Sequence, residues 1–561
     1  MIGRPRFRLD PALAVLMAVA LALALAVAAA LPLLDPDEGR NAEVAREMAA
    51  SGDLVVPHLA GMPYLDKPPA FFWAAALAVR LFGHSPLAAR LPSLVAAALT
   101  LALFAIRAQR SGGARFARIA VALLGAAPLF LALSAYVIFD MLLTLCVTVV
   151  WLGLAAEVTG GASARVRAWM FLFLGLGLLV KGPVMLAWAL GGSACAALFS
   201  RSRTPLRWLA WWPGWALALG LAGGWFALAV ARHPEYPHYA FLEESLERLT
   251  SNSFHRDQPW WFVPAVLIGG TLPWSLHTPW SRAHLSRAPE AVRASSVVAL
   301  GFVAFAAVFF SASHSKLVTY LLPAVPALAW LAAAMWFEAA PQRRSGWIAA
   351  ALLGATAWAL LHVTLTASLF AGRAGPAHAL ETLPLVIAVT HTLPFAVAVM
   401  VAAAGVCVFA ARTRQPGTAL GAALIWFPTL VVAGLAMLAP LARAFRLPSG
   451  AGLARAVAAA GPGSVRYERC YSPGTDFLLG RPSTLVSAEG AETTSNYQWR
   501  YRSSLAARGL WTPSASPSES DSARFVVRPR SEAGTPPPPG GEAFFMDARF
   551  VAYRIGAPAP R

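Results

Sequence analysis

Lysine is nearly missing from this chain: of 45 basic side chains, Lys67, Lys181 and Lys316 are the only lysines and the others are arginines. Charge of either sign is scarce, 13% of residues against 58% hydrophobic, which excludes a disordered or highly solvated chain. Cysteine is rarer still. Of four, Cys146, Cys195 and Cys407 lie in apolar runs and Cys470 stands alone in a polar stretch, so neither a disulfide framework nor a thiolate metal site is implied. Acidic residues number 27, leaving a formal charge of +18. In a soluble protein that excess would point to nucleic acid. In a membrane protein, loop arginines first report orientation, so no nucleic-acid partner is expected.

What the sequence does have is apolar runs that match a bilayer crossing, about 20 residues as helix. They fall near residues 11–34, 91–106, 117–134, 141–158, 168–180, 182–199, 209–231, 260–277, 294–311, 317–337, 346–370, 383–411 and 418–440, an expectation of thirteen spans. The first has the basic flank of a signal peptide but the length of a spanning helix, and reads as an uncleaved span. The segment 68–83 is apolar, short and led by prolines, and reads as an interfacial helix. Residues 1–440 thus form an all-α polytopic membrane domain. Residues 441–561 change character to short β-type runs broken by Gly and Pro behind a helical stretch, a pattern for a small α/β domain.

With Arg4, Arg6 and Arg8 in the cytoplasm, the inner loops hold nineteen arginines and the outer connections before residue 441 hold eight, in line with the positive-inside rule. All three lysines then lie outside, as does the segment 441–561. The long outer connections, 35–90 and 232–259, carry most of the acidic and histidine residues of the membrane part, so chemistry is expected on that face.

The first outer loop opens DPDEGRNAEVAREMAASGD. Asp35, Pro36 and Glu38 fit an N-cap, a first-turn proline and a capping-box glutamate, which leaves Asp37 free to act. The helix it starts is expected to lie at the membrane surface. Asp140, opening the fourth span, reads either as an N-cap or as a functional carboxylate at a depth where charge is costly. Each lysine alone fits a snorkelling cation at a helix end. Together, three lysines and two aspartates at the outer ends of separate helices describe a pocket at the lipid–water boundary, where a compact ammonium suits phosphate. His255 with Asp66 is a pairing for a divalent cation, and Arg256 suits a phosphate or sugar carboxylate. Trp260 and Trp261 read as interface anchors.

The stretches DEGRNAEVAREMAASGDLVVPHLAGMPYLDKPPAFFW, FD at Asp140, VKGPV, HRDQPWWFVP and SHSKLVTYLLPAVPALA resemble, in order, the motifs of the bacterial 4-amino-4-deoxy-L-arabinose lipid A transferases, relatives of the protein O-mannosyltransferases. The resemblance implies a GT-C fold with an extracytoplasmic α/β domain, set in the cytoplasmic membrane of a bacterium. It implies a sugar donor on undecaprenyl phosphate, a lipid or protein acceptor, and no nucleotide cofactor. It points to Asp37 and Asp140 as catalytic carboxylates and to Lys67 and Arg256 as phosphate ligands, with Lys181 and Lys316 as motif lysines near phosphate or sugar. Asp66 stands where the family usually has Glu. One base without a paired nucleophile fits a single displacement with inversion. Two other readings fit the same composition: a lipid transporter, and a non-catalytic envelope-assembly subunit that captures lipid without using Asp37.

Overall fold

The computed structural model describes residues 8–247, 258–272, 274–337, 448–487, 489–513 and 523–556. The expected spans at 346–370, 383–411 and 418–440, the boundary at 440, and His255 and Arg256 lie outside the described residues.

The membrane part is helical. α1 (Pro11–Ala30) is capped by Asp10, whose carboxylate accepts from the Ala12 amide at 2.8 Å. After α2 (Asp37–Ser51) and a two-stranded hairpin, β1 (His58–Leu59) with β2 (Met62–Pro63), come α3 (Ala70–Phe82) and α4 (Pro86–Gly125). α4 contains the second expected span and the start of the third, broken at Gly113, whose φ of 75° favours glycine. α5 (Pro128–Ser134), α6 (Phe139–Val158), α7 (Ala164–Lys181), α8 (Val184–Ser200) and α9 (Trp212–Arg232) follow, then the helices Glu290–Ala312 and Val325–Trp336. Among the described residues, six helices are long and apolar enough to cross a membrane. The expected span at 260–277 is instead interrupted: Phe262–Gly269 is about 12 Å long at 1.5 Å per residue, and the chain turns at Gly270 before Trp274–His277.

α3 is amphipathic: Leu77, Leu81 and Phe82 are exposed, while Phe71, Phe72, Ala75 and Val79 are buried. α2 departs from the expectation of a helix at the membrane surface. Of its charged residues, Glu38, Glu43, Arg46 and Glu47 are all buried, because the helix is covered rather than laid on lipid. Each charge has a partner, as burial requires. Arg46 donates to both oxygens of Glu43 at 2.6–2.8 Å, and Glu47 accepts from the amides of Ala60 and Gly61 at 2.7 and 3.0 Å.

The expected cap also changes. α2 begins at Asp37 behind Pro36, with no side-chain cap from Asp35. Glu38 does reach back to the Leu34 amide, at 3.0 Å, but its main partner is Arg90 on α4, bonded from Nε and Nη2 at 2.9 and 2.7 Å. Arg90 also donates to the carbonyls of Ala28, Leu31 and Pro32, groups that the end of α1 leaves unpaired. One buried guanidinium therefore ties α1, α2 and α4 together.

Residues 448–556 build a five-stranded sheet in the order β4-β3-β5-β7-β6, from β3 (Val465–Glu468), β4 (Thr484–Val486), β5 (Phe525–Pro529), β6 (Gly541–Met546) and β7 (Phe550–Ile555). β3 runs parallel to β4 and β5, and β7 antiparallel to β5 and β6. The helix Pro473–Leu479 makes the crossover that a parallel β3–β4 pair needs. This α/β unit packs on α2 and the hairpin. Asp35 is its anchor, accepting from Ser472 Oγ at 2.8 Å, the Gly474 amide at 3.1 Å and Arg549 at 3.2 Å. The unit thus sits on the same face as the loops holding Asp37 and Lys67.

Candidate active site

The site grows from the segment after the hairpin. Asp66 and Lys67 follow the buried Tyr64 and Leu65, and the next two prolines deliver the chain into α3. Opposite them lies the stretch Tyr239–Glu247, wound as a π-helix. In that winding, residues five apart share a face. Tyr239 and Glu244 therefore meet consecutive residues: the Tyr239 hydroxyl donates to Asp66 Oδ1, and Glu244 forms an ion pair with Lys67. Lys67 Nζ also donates to the Asp66 carbonyl at 3.0 Å. The wide winding leaves its trace in Ser245 Oγ, which bonds the carbonyl of Ala240, five residues back, at 2.7 Å.

A second lysine faces the same space. Lys181, the last residue of α7, donates to Asp140 Oδ1 at 2.5 Å and sits over the Tyr320 ring at 4.6 Å. Asp140 lies in the first turn of α6 and caps nothing, since Ile138 precedes the helix without a side-chain bond. It is buried, and the adjacent ammonium supplies the partner that burial demands.

Lys67 and Lys181 line one cavity of about 490 Å³. Its wall is otherwise mostly apolar, with Leu143, Leu178, Trp188, Phe226 and Phe310, and it includes Asp66, Glu244, Ser315 and Tyr320. Lys316 is buried beside Ser315 and is not among the lining residues.

Asp37 lies at the start of α2, half-exposed, bonded to Arg40 at 2.6 Å. Arg40 in turn donates to Thr494 Oγ1 at 2.6 Å. Burial pushes the Tyr64 hydroxyl well above its ordinary pKa, with Arg40 opposing and Asp66, Glu244 and Asp37 adding to the effect. That one phenol is thus within electrostatic reach of both Asp37 and the Lys67 group. Lys67, Lys181, Asp66 and Glu244 thus share the wall of one apolar chamber, Asp140 reaches it only through Lys181, Asp37 is not among its lining residues, and Arg256 lies outside the described residues. Sequence reasoning passed over Glu244, Arg40 and Tyr320. The acidic content of 232–259 was the one available signal for Glu244; the π-helical spacing that aims it leaves no pattern of its own.

The metal pairing has less geometry behind it. Asp66 Oδ1 accepts from Tyr239 and, at 2.8 Å, from the Tyr497 amide, and among the described residues no cluster of His, Cys, Asp and Glu has a metal-holding arrangement.

Fold and site together define a multi-pass helical membrane protein with an apolar chamber that carries two lysines in its wall. Comparison with known proteins agrees. The family model for dolichyl-phosphate-mannose-protein mannosyltransferase matches residues 66–224. The undecaprenyl phosphate-α-4-amino-4-deoxy-L-arabinose arabinosyl transferase of Aeromonas hydrophila is 31% identical over 320 residues, 54% of this chain and 56% of that protein. Its namesake from Pseudomonas aeruginosa is 33% identical over 305 residues, 53% of this chain and 54% of that protein. The match thus spans about half the length of these curated relatives. The crystal structures of ArnT from Cupriavidus metallidurans, bound to undecaprenyl phosphate and in the apo state, superpose with a TM-score of 0.77 over 98% of this chain and 99% of that one, at 23% identity. The resemblance read from the motifs is borne out to this extent: the chain has the GT-C fold and is similar, over about half its length, to these transferases.

Proposed function

We propose that the chain is a membrane glycosyltransferase that moves a sugar from a polyprenyl-phosphate donor to an envelope acceptor such as a lipid A-like glycolipid. The observation that carries this reading is the apolar cavity of about 490 Å³ with Lys67 and Lys181 in its wall, a shape suited to a lipid tail below a phosphate. A lipid phosphate is also the leaving group that an outward-facing transferase needs where nucleotide sugars are absent.

In the reaction, the acceptor hydroxyl oxygen forms a bond to the anomeric carbon as the bond from that carbon to the phosphate oxygen breaks. The bonding pair leaves with polyprenyl phosphate, and the hydroxyl proton passes to Asp37. Lys67, with Arg256 in the sequence motif, neutralises the departing phosphate. At Lys67 the phosphate takes the place of Glu244, one anion exchanged for another, so the ammonium is never left bare. Asp140 holds Lys181 toward the chamber, and Lys316 stands behind Ser315. The single base supports inversion at the sugar.

The orientation belongs to the same proposal. Asp10 at the start of α1 is bonded to Arg118 at 2.5 Å, which groups the N-terminal end with an arginine-rich connection. Asp37, Lys67 and the α/β unit group at another face, and the positive-inside rule makes that face extracytoplasmic. A divalent ion between Asp66 and His255 is a separate proposal that no step above uses, and turnover surviving chelation would remove it.

The test is sugar transfer by purified protein from an undecaprenyl-phosphate-linked sugar, beside mass spectrometry of envelope glycolipids and proteins with and without the gene. A sugar-sized mass increment that needs the protein is the expected result. Binding of undecaprenyl phosphate without any transfer would favour the capture subunit, and movement of the lipid across vesicles would favour the transporter.

A further inference from the structure

We propose that the strip Thr494–Tyr501 of the α/β unit is a positioning clamp for the active site. Within eight residues it touches the segments that carry Asp37, Lys67 and the Lys67 partner Glu244. Thr494 accepts Arg40 through Oγ1 and its carbonyl, at 2.6 and 3.2 Å, and Arg40 holds Asp37. The Tyr497 amide donates to Asp66, the neighbour of Lys67, at 2.8 Å. Its hydroxyl donates to Glu235 at 2.5 Å and lies 3.0 Å from His233, on the connection leading into the π-helix. Gln498, fully buried, donates to the carbonyls of Leu59 and Met62 at 3.1 and 3.3 Å, one in each strand of the hairpin. Arg500 bonds Glu243 at 2.9 Å and Glu247 at 3.0 Å, and the Tyr501 hydroxyl bonds Glu243 at 2.9 Å. Glu243 is the residue before Glu244, the partner of Lys67.

The physical point is preorganisation. A hairpin of two-residue strands and a π-helix are weak elements alone, because each satisfies few backbone groups and strained winding is uncommon. The clamp supplies bonds from outside them. A carboxylate misplaced by about 1 Å can cost roughly 100-fold in rate, so holding Asp37 through Arg40 acts on turnover. Holding Lys67 through Asp66 and Glu243 acts on phosphate affinity. Thr494 and Arg500 are therefore positioning residues with separable effects.

The inference rests on the transferase reading, and its experiment keeps the two apart. Full-length Thr494→Val, Thr494→Ser, Arg500→Gln and Arg500→Lys are compared for turnover and, separately, for affinity to undecaprenyl phosphate. Thr494→Val is expected to lower kcat about 10-fold with donor KM unchanged, since a loosened Arg40 misaims Asp37, and Thr494→Ser, which keeps the hydroxyl, to restore it. Arg500→Gln is expected to weaken undecaprenyl phosphate binding several-fold with kcat nearly unchanged, and Arg500→Lys to recover most of it. Wild-type constants in Thr494→Val and Arg500→Gln, or equal loss in all four variants, overturn the clamp. If the wild-type protein transfers no sugar, the transferase reading falls on its own, and amide exchange across residues 35–67 decides the clamp. Faster exchange in Thr494→Val and Arg500→Gln than in their rescue variants upholds it; equal exchange in all four overturns it.

Discussion

Asp35, Asp37 and Glu38 stand within four positions of one another and have three different fates. Asp35 anchors the α/β unit, Glu38 is locked by Arg90, and Asp37 stays half-exposed with one guanidinium partner. Asp37 is therefore the one proposed to take a proton from an incoming hydroxyl. Asp37→Asn keeps its size and an acceptor oxygen, so folded yield and donor affinity should be retained while turnover falls about 10²- to 10⁴-fold. Transfer normalised to folded protein checks this; near-normal turnover moves the base assignment to Asp140. Lys67→Ala should weaken undecaprenyl phosphate binding more than it slows transfer. Lys67→Arg should rescue in part, because a planar fork does not reproduce a compact ammonium. Equilibrium binding of the lipid phosphate reads both, and unchanged affinity in Lys67→Ala removes it from the phosphate site.

Between elements, buried charge does most of the joining. Arg90 and Glu38 are both fully buried, and removing one leaves the other uncompensated. Arg90→Ala is therefore expected to cost about 3–5 kcal/mol, seen as lost yield or a lower denaturation midpoint, with α1 freed from α4. The contact between α2 and the helix Pro473–Leu479 behaves differently. Burial raises Asp476 to about 7, offset by the Ser483 hydroxyl and Arg46 and reinforced by Glu47. Burial likewise raises Glu43 on the facing helix, against its bonds from Arg46. A carboxyl whose folded pKa exceeds its unfolded one binds more protons in the folded state, so its contribution is complete below about pH 4 and is lost as pH rises through about 7. Asp476→Asn, which cannot ionise, should raise the Tm relative to wild type at pH 8, with the advantage shrinking as pH falls below about 7 and gone near pH 4. A difference independent of pH would show that Asp476 titrates alike in the folded and unfolded states.

At the scale of the molecule, the α/β unit packs against the segments that carry the candidate site. Asp35, Arg40, Asp66 and the carbonyls of the hairpin all bond to it. If that face is extracytoplasmic, alkaline phosphatase fused after residue 445 should be active and a cytoplasmic fluorescent reporter at the same point dark. The opposite pattern would invert the assignment of every outer residue.

The apolar helices, the short helix α3 and the grouping of Lys67 with Lys181 were legible in the chain itself. Apolar runs report burial in lipid, and a lysine kept among arginines reports a local chemical demand. The α/β character of the C-terminal part was legible too, from short runs punctuated by Gly and Pro. The caps were misread at Asp35 because an N-cap and a long-range anchor use the same residue type, and the sequence neighbours of Asp35 say nothing of Ser472 or Arg549. α2 looked like a surface helix because its charges resemble a solvated face; they are buried because Arg46, Arg90 and backbone amides from distant segments satisfy them. Glu244 was invisible for a related reason. Its aim at Lys67 depends on π-helical winding and on a partner 177 residues away. Local periodicity determines which segments enter the membrane, whereas the pairing of buried charges depends on which segments the folded chain brings together, and only the tertiary structure decides that.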